Sequence, residues 1–365
     1  MKKIALLGAG HIGQTIARLL TDTGDYRVSV FDRSAQALSH VREHAAEVFE
    51  LSESDTGTLR KAIAGHDAVI NALPYTMATS AAAAAVAAGC HYFDLTEDVA
   101  ATQAIAQLAE GATTALMPQC GLAPGFISIA AHHLAADFER IDSVKMRVGA
   151  LPAFPTNSLK YNLTWSVDGL INEYCQPCEA IRDGERLSVQ PLEGLEHFSL
   201  DGVEYEAFNT SGGLGTLCET LAGRVSDLDY KSVRYPGHGA LMKVLLGELR
   251  LKDDQATLKG LLKRAVPSTS QDVVLVFVVV SGMRDGVLTQ EVFARKIFAE
   301  RNNGQSASAI QITTASAVCA AVDLFFAGEL PQHGFIRQEQ IGLPGFLANR
   351  FGNAYMHSTN IESLS

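Results

Sequence analysis

What most constrains this chain is the order of its first thirty-two residues. A short apolar run, Ile4-Ala5-Leu6-Leu7, meets Gly8-Ala9-Gly10-His11-Ile12-Gly13 and opens into Gln14-Thr15-Ile16-Ala17-Arg18-Leu19-Leu20. A second run, Val28-Ser29-Val30-Phe31, ends on Asp32. Strand, glycine turn, helix, strand and acid follow in the order that a dinucleotide-binding βαβ unit requires. Gly8 permits a tight turn, Gly10 lets the backbone approach a pyrophosphate, and Gly13 lets helix pack on strand. The helix N-terminus, at His11 and Ile12, offers free N–H groups and a positive dipole end to the phosphates. Asp32 lies nineteen residues beyond Gly13, where a carboxylate can accept hydrogen bonds from both ribose hydroxyls. A 2′-phosphate would meet that negative charge, so the pattern favours NAD over NADP. The adjacent Arg33 softens this preference without reversing it.

The rest of the composition narrows the class. A chain of 365 residues can bury a large core and is expected to form two domains. With 47% hydrophobic and 19% charged residues it has a globular balance, with little room for disorder. A net charge of −11 argues against nucleic acid and against anionic membranes as partners. Only four apolar residues separate Met1-Lys2-Lys3 from the glycines, too few for a signal-peptide core. The longest apolar run, Val273 to Val280, suits a buried strand and cannot span a bilayer. A cytoplasmic protein is expected. Six cysteines (Cys90, Cys120, Cys175, Cys178, Cys218, Cys319) in so long a chain do not make a disulfide scaffold. Cys175-Gln176-Pro177-Cys178 has redox or zinc spacing, but no second such pair and no close histidine pair complete a site. Two reduced thiols are expected there, and no metal.

Strand and helix then alternate to Met117, with helices at 35–44, 58–64, 77–88 and 100–110 and strands at 48–51, 67–74, 91–95 and 113–117. Such alternation gives a Rossmann-type doubly wound parallel sheet of the α/β class. Ligands of these sheets sit beyond the carboxyl ends of the strands. Leu73-Pro74, Asp94-Leu95 and Cys120 therefore share a rim with the glycine turn, and Leu73, Pro74, Leu95 and Cys120 join the candidate cofactor contacts. After Gly121-Leu122-Ala123-Pro124-Gly125 and a helix over 126–138 the pattern changes. Strand-length runs at 143–149, 204–209, 232–235 and 271–281 predict a second mixed, mostly antiparallel α+β domain. Turns at Asp183-Gly184, Asp201-Gly202, Asp285-Gly286 and Asn303-Gly304 punctuate it. An apolar helix over 309–327 packs back on the first domain. The expected division is 1–138 plus 309–365 for the dinucleotide-binding domain and 139–308 for a substrate-binding and oligomerisation domain.

Hydride transfer to a nicotinamide needs a base for the proton that leaves with it. Asp94, at a strand end on the rim, is a candidate to orient a substrate amine or take its proton; the alternative is a helix cap. Cys120 is weighed as a small buried filler against a nucleophile. Three stretches of the second domain stand out. Tyr161-Asn162-Leu163-Thr164-Trp165-Ser166 holds the single tryptophan beside hydroxyl groups. Asn209-Thr210-Ser211-Gly212-Gly213-Leu214-Gly215-Thr216 is a glycine-rich loop whose N–H groups, around Ser211 and Gly213, suit a carboxylate. Arg234-Tyr235-Pro236-Gly237-His238 pairs a guanidinium fork with an imidazole. The competing readings are a core aromatic, a plain hairpin loop, and a surface ion pair with a solvated histidine.

Gly8 to Gly13, Asn71 to Pro74, Tyr92-Phe93-Asp94-Leu95-Thr96 and Cys120 to Gly125 together resemble the saccharopine dehydrogenase-like reductases. Leu163 to Ser166, Leu170 to Tyr174, Glu206-Ala207-Phe208, Glu219-Thr220-Leu221 and Arg234 to His238 resemble the lysine 6-dehydrogenase branch, and the similarity spans nearly the whole chain. The resemblance implies NAD-dependent oxidative deamination of the lysine ε-amino group to 2-aminoadipate 6-semialdehyde, which cyclises to piperideine-6-carboxylate. On that reading Arg234 and the Thr210-to-Gly215 loop hold the α-carboxylate, with Tyr161, Thr164, Ser211 and Gly213 lining the substrate. Asp94 meets the amine, and Asp94 or His238 moves the proton. A homo-oligomer, dimer or higher, is expected. Two rivals stay open: a reductase that joins an amine to a semialdehyde, as in making saccharopine or carboxynorspermidine, and a non-catalytic NAD-binding sensor or scaffold.

Overall fold

Strand β1 (Lys2–Leu7) lies between β2 (Tyr26–Asp32) and β4 (Ala68–Asn71) in a seven-stranded parallel sheet. The computed structural model describes residues 1–51, 55–302 and 305–356. From β1 the sheet runs outward one way through β2 to β3 (Glu47–Glu50). The other way it runs through β4, β5 (His91–Asp94) and β6 (Ala115–Met117) to a short last strand, Gly334–Phe335. The order reverses at β1, so the gap between β1 and β4 is the switch point at which such sheets take ligands. Ile4 to Leu7 are fully buried, as expected of a central parallel strand covered on both faces, which explains the unbroken apolar run. The helices lie close to their expected places: His11–Asp22, Ala35–Val41, Thr56–Ile63, Ala78–Ala88 and Val99–Ala109. Gly89 closes the fourth of these in the left-handed region, with φ of 71°.

The second unit is built on an eight-stranded mixed sheet. Its long strands are β7 (Arg140–Pro152), β8 (Cys178–Arg182), β9 (Glu185–Val189), β10 (Glu196–Leu200), β11 (Val203–Asn209), β12 (Val225–Arg234), β13 (Asp272–Arg284) and β14 (Val287–Phe298). The main path is β10-β11-β12-β7-β13-β14, antiparallel throughout except where β12 runs parallel to β7. Asp183-Gly184, Asp201-Gly202 and Asp285-Gly286 make the hairpin turns, with positive φ at both residues of each pair, the geometry of a type I′ turn. The Asn303-Gly304 turn lies outside the described residues.

Several elements of this unit differ from the sequence expectation. Strands β8, β9, β10 and β14 were not foreseen, because their polar residues face water on one side or at a sheet edge and leave no clean alternation. Helices Val167–Cys175, His238–Lys243 and Gln255–Ala265 add a layer where few helices were expected. The first of them starts on Ser166, whose hydroxyl accepts from the Gly169 N–H at 3.3 Å.

By packing, one unit comprises residues 1–126 and 311–354, and the other 127–310 with Tyr355. Helix Phe126–Ala135 therefore belongs almost wholly to the second unit, whereas the sequence division carried it in the first. Helix Ala309–Phe326 is long and apolar enough to cross a bilayer by length and composition, and 78% of it is buried. Asp272 starts it, accepting from the N–H groups of Ala309 at 2.5 Å and Ile310 at 3.0 Å. Burial raises the Asp272 pKa to about 6 despite those two bonds.

Candidate functional site

In the first unit the glycine turn has the form that a dinucleotide phosphate needs. Gly8 has φ of 103°, and a Cβ there would meet the Ala72 carbonyl oxygen at 2.8 Å. A Cβ on Gly13 would sit 2.0 Å from the Gly8 backbone oxygen, so the helix packs on the turn only because residue 13 is glycine. Gly10 is different: a Cβ there meets nothing within 4 Å. Its glycine is not demanded by the protein's own packing, and the open space above it lies at the start of helix His11–Asp22. No side chain caps that helix and no acid sits in its first turn. These features fit a pyrophosphate held by Gly10, His11, Ile12 and Gly13. Asp32 ends β2 with Oδ2 accepting from the Ala9 N–H at 2.7 Å and Oδ1 from the Ser34 N–H at 2.8 Å. Each oxygen keeps a lone pair, so the carboxylate can fasten the turn and still receive ribose hydroxyls. Arg33 is exposed and makes no ion pair among the described residues.

Along the same rim, Leu73, Pro74 and Leu95 keep solvent-facing surface, while Asp94 and Cys120 are sealed. Asp94 is 0% exposed. Its Oδ1 accepts from the Thr96 N–H at 3.0 Å and the Gln119 N–H at 2.8 Å, and its Oδ2 from the Tyr92 hydroxyl at 2.8 Å. Burial outweighs these bonds and raises its pKa to about 6. The carboxylate thus ties the loop after β5 to the loop after β6. That differs from a group open to a substrate amine, and Asp98 rather than Asp94 caps the next helix. Cys120 is held by Gln338, whose Nε2 donates to Sγ at 3.1 Å, and burial pushes its thiol far above the usual range. Burial disfavours a thiolate at Cys120. All six cysteines are free and buried, and the described residues contain no cluster fit for a metal ion.

In the second unit, Arg234 at the end of β12 is only 3% exposed. Its Nε donates to the Tyr174 hydroxyl at 2.8 Å, and its Nη1 to the Val233 carbonyl at 2.8 Å. The rings of Tyr161 and Tyr174 lie 5.2 and 5.7 Å from Cζ, within cation–π range. Among the described residues no carboxylate comes within 4 Å of the guanidinium; Glu173 acts on it only through space. Glu206 is its direct cross-strand neighbour, yet its two oxygens accept from the N–H groups of Gly237 at 2.7 Å and Gly239 at 2.6 Å. A buried cation with no carboxylate in direct contact is costly, and among the described residues only two of its five donor hydrogens are used. Such a guanidinium can receive an anion.

His238 is 1% exposed. Its Nδ1 lies 2.9 Å from the Leu159 carbonyl oxygen and its Nε2 lies 3.0 Å from the Tyr174 hydroxyl. Burial, and then the charge of Arg234, lower its pKa to about 3. A proton acceptor for catalysis needs a reachable lone pair, and both ring nitrogens here are engaged inside the protein. The surface ion pair that the sequence allowed for Arg234 and His238 is likewise replaced by a buried cluster. Tyr161 joins this cluster and accepts from Trp165 Nε1 at 3.2 Å. Thr164 Oγ1 is buried without a hydrogen bond of good geometry, although its nearness bears on the Tyr161 phenol.

The glycine-rich loop is corrected in its reason. A Cβ on Gly213 would enter the Tyr230 ring at 2.2 Å, so packing demands this glycine. Ser211 donates its hydroxyl to the Pro177 carbonyl at 2.9 Å and its N–H to the Glu173 carbonyl at 3.0 Å. Neither group is turned toward a ligand. Tyr174, by contrast, received no role from the sequence; the signal available was the Ser166 cap, which starts a helix and places Tyr174 in its last turn.

Two family models match: the saccharopine dehydrogenase NADP binding domain over residues 4–117, and the saccharopine dehydrogenase C-terminal domain over residues 121–349. The chain belongs to the saccharopine dehydrogenase family. Among curated relatives of this family, the saccharopine dehydrogenase [NADP(+), L-glutamate-forming] of Pyricularia oryzae is 25% identical over 279 residues, 73% of this chain and 61% of that protein. The enzyme of the same description from Saccharomyces cerevisiae is 24% identical over 272 residues, 69% of this chain and 59% of that one. The match thus spans about three-fifths of the length of these relatives. The solved apo saccharopine dehydrogenase (L-Glu forming) from Saccharomyces cerevisiae superposes with a TM-score of 0.77 at 18% identity, covering 95% of this chain and 96% of the other. That likeness establishes a shared fold.

Proposed function

We propose that this chain is a nicotinamide-dependent oxidoreductase acting on the CH–NH bond of an amino acid, with L-lysine as substrate and NAD as preferred cofactor. The observation that carries the substrate class is Arg234, a buried guanidinium whose Nη end keeps hydrogens without an acceptor among the described residues and which suits an α-carboxylate. Gly10, His11, Ile12 and Gly13 would hold the pyrophosphate, and Asp32 the ribose. Bound there, the nicotinamide would accept a hydride from the carbon bearing the ε-amine. The amine loses a proton, water adds to the resulting imine, and ammonia leaves, giving 2-aminoadipate 6-semialdehyde. Asp94 sets the rim loops around that chemistry, and His238 supports Arg234.

A second reading is a reductase that joins an amino acid to a semialdehyde using NADP. Arg33, exposed and without an ion pair among the described residues, favours it, since a 2′-phosphate would suit that side chain, and so do the names of the curated relatives. Absorbance at the reduced-nicotinamide band separates the two. L-Lysine alone with NAD should produce the band. A band produced only from saccharopine with NADP would replace the first reading by the second. Gly10→Val should abolish cofactor binding by titration while changing the melting temperature little, because a Cβ at this position meets no protein atom within 4 Å beyond its chain neighbours. Unchanged binding would remove the cofactor site.

A further inference from the structure

The hydrogen bonds behind Arg234 have a fixed direction. A backbone carbonyl only accepts, so His238 must carry its proton on Nδ1 to bond Leu159. Neutral at ordinary pH, the ring then presents a bare Nε2. The Tyr174 hydroxyl must donate to that nitrogen, which turns the phenol's lone pairs toward Arg234, and Arg234 Nε donates to them. Every partner in the chain Arg234–Tyr174–His238–Leu159 is therefore a defined donor or acceptor. The chain's far end is anchored as well. Glu206 clamps the backbone on both sides of His238 through Gly237 and Gly239, and its negative charge suits that helix start.

We propose that Tyr174 and His238 are positioning residues for Arg234, a one-way hydrogen-bond chain that holds Nε inward and presents the Nη1 and Nη2 end to a two-oxygen anion. This rests on the reading that Arg234 receives the substrate carboxylate, and it adds the means by which the fork is aimed. An arginine has two edges that can bind a carboxylate, the Nε–Nη edge and the Nη1–Nη2 end. Tyr174 occupies Nε, and the tyrosine rings restrict the planar group further. Only the end carrying the unused Nη hydrogens remains. A pre-aimed fork loses less rotamer entropy on binding than a free one, so the chain acts on affinity and specificity, and the hydride step does not require it.

Two histidine substitutions separate the halves of the chain. His238→Asn keeps a donor near Nδ1 for Leu159 and loses the acceptor for Tyr174. His238→Gln places an amide oxygen near Nε2 and keeps that acceptor. Nitrogen-15 NMR of the full-length protein should show His238 protonated on Nδ1 with Nε2 bare. It should also show an Arg234 Nε–H protected from exchange in the wild type and in His238→Gln, and unprotected in Tyr174→Phe and His238→Asn. A proton on Nε2, or an Arg234 signal indifferent to Tyr174→Phe, would overturn the proposal whatever the substrate is. In steady-state kinetics, Tyr174→Phe should raise KM for L-lysine about tenfold, as expected for the loss of one charge-assisted bond, with KM for 1,5-diaminopentane and kcat unchanged. His238→Gln should recover most of that loss relative to His238→Asn. Equal KM increases for both substrates, or equal losses in the two histidine variants, would make the chain merely structural. If instead Arg234→Met raises both KM values alike while the NMR pattern holds, the carboxylate reading fails and the positioning chain stands.

Discussion

Arg147 and Arg234 are equally buried, at 2% and 3% exposed, and both belong to the same sheet of the second unit. Arg147 on β7 is the register partner of Lys231 on β12. Side chains alternate along a strand, so Asp229 and Lys231 emerge on one face of β12 while Tyr230, Ser232 and Arg234 emerge on the other. On the first face Arg147 bonds Glu196 and, at 2.6 Å, Asp229; Lys231 reaches Glu196 at 2.8 Å; and Arg182 reaches Asp229 at 2.6 Å and Asp227 at 3.6 Å. Three cations (Arg147, Arg182, Lys231) meet three carboxylates (Glu196, Asp227, Asp229), and the network is electrically complete. On the second face Arg234 touches phenols and a carbonyl, and the carboxylates of Glu173 and Glu206 act on it or lie beside it without an ion-pair contact among the described residues. The difference teaches how to sort buried charge. A charge answered by direct ion pairs serves the fold, and a buried charge without such a pair is a candidate for binding.

Breaking the complete network should have the largest effect on stability. Arg147→Met leaves Asp229 and Glu196 short of a partner and should cost about 3 kcal/mol in urea unfolding, the scale for removing one member of a buried ion group. Arg234→Met removes a charge with no direct ion pair among the described residues and should change stability by less than about 1 kcal/mol. Equal losses would erase the distinction between the faces. Activity should rank them in reverse. Arg234→Met should lower kcat/KM for a carboxylate-bearing substrate about a hundredfold, about 2.7 kcal/mol. Arg147→Met, assayed well below its melting temperature, should stay near the wild type.

A third effect is on the pH dependence of folding. His238 has a pKa lowered from 6.5 to about 3, chiefly by burial and then by Arg234. Between those values the unfolded chain binds a proton that the folded chain refuses. Acidification from about 6.5 downward therefore removes stability, by at most about 1.4 kcal/mol per pH unit. Asp94 and Asp272, raised from 3.8 to about 6, act with the opposite sign: their contribution is full below 3.8 and is lost as pH rises through 6. His238→Gln should lose less stability than the wild type between pH 6.5 and 4.5, measured by urea unfolding at each pH. Parallel curves for the two proteins would mean that the histidine is not held neutral.

Much of the first unit was legible because its signals are local. The glycine turn, the caps and the apolar runs of covered parallel strands each lie within a few residues, and the elements fell within a few residues of expectation. The sequence also marked Tyr161, Arg234 and His238, which the fold brings into one cluster. It could not state their roles, because burial and partners come from distant segments: Leu159 from a loop, Tyr174 from a helix, Glu206 from the neighbouring strand. Gly213 shows the limit most plainly. A glycine in a polar loop suggests an anion nest, and the Tyr230 ring that dictates it lies seventeen residues further along the chain. Asp94 stands where a functional acid would by position, but its bonds turn inward to Tyr92, Thr96 and Gln119.

The first unit is assembled from two separate stretches of chain. Gly334–Phe335 supplies the seventh strand beside β6. Asp323 receives the Tyr26 hydroxyl at 2.6 Å, Asn349 at 2.8 Å and Arg350 at 2.6 Å. Synthesis runs from the N-terminus, so a ribosome releases the glycine turn first and its missing strand only after the whole second unit has emerged. The second unit, continuous from Ile127 to Ile310, is free to fold during translation, while the nicotinamide-binding sheet keeps an open edge until residue 335 is out. An exposed parallel edge is an aggregation hazard, and its duration here is set by the length of the insertion.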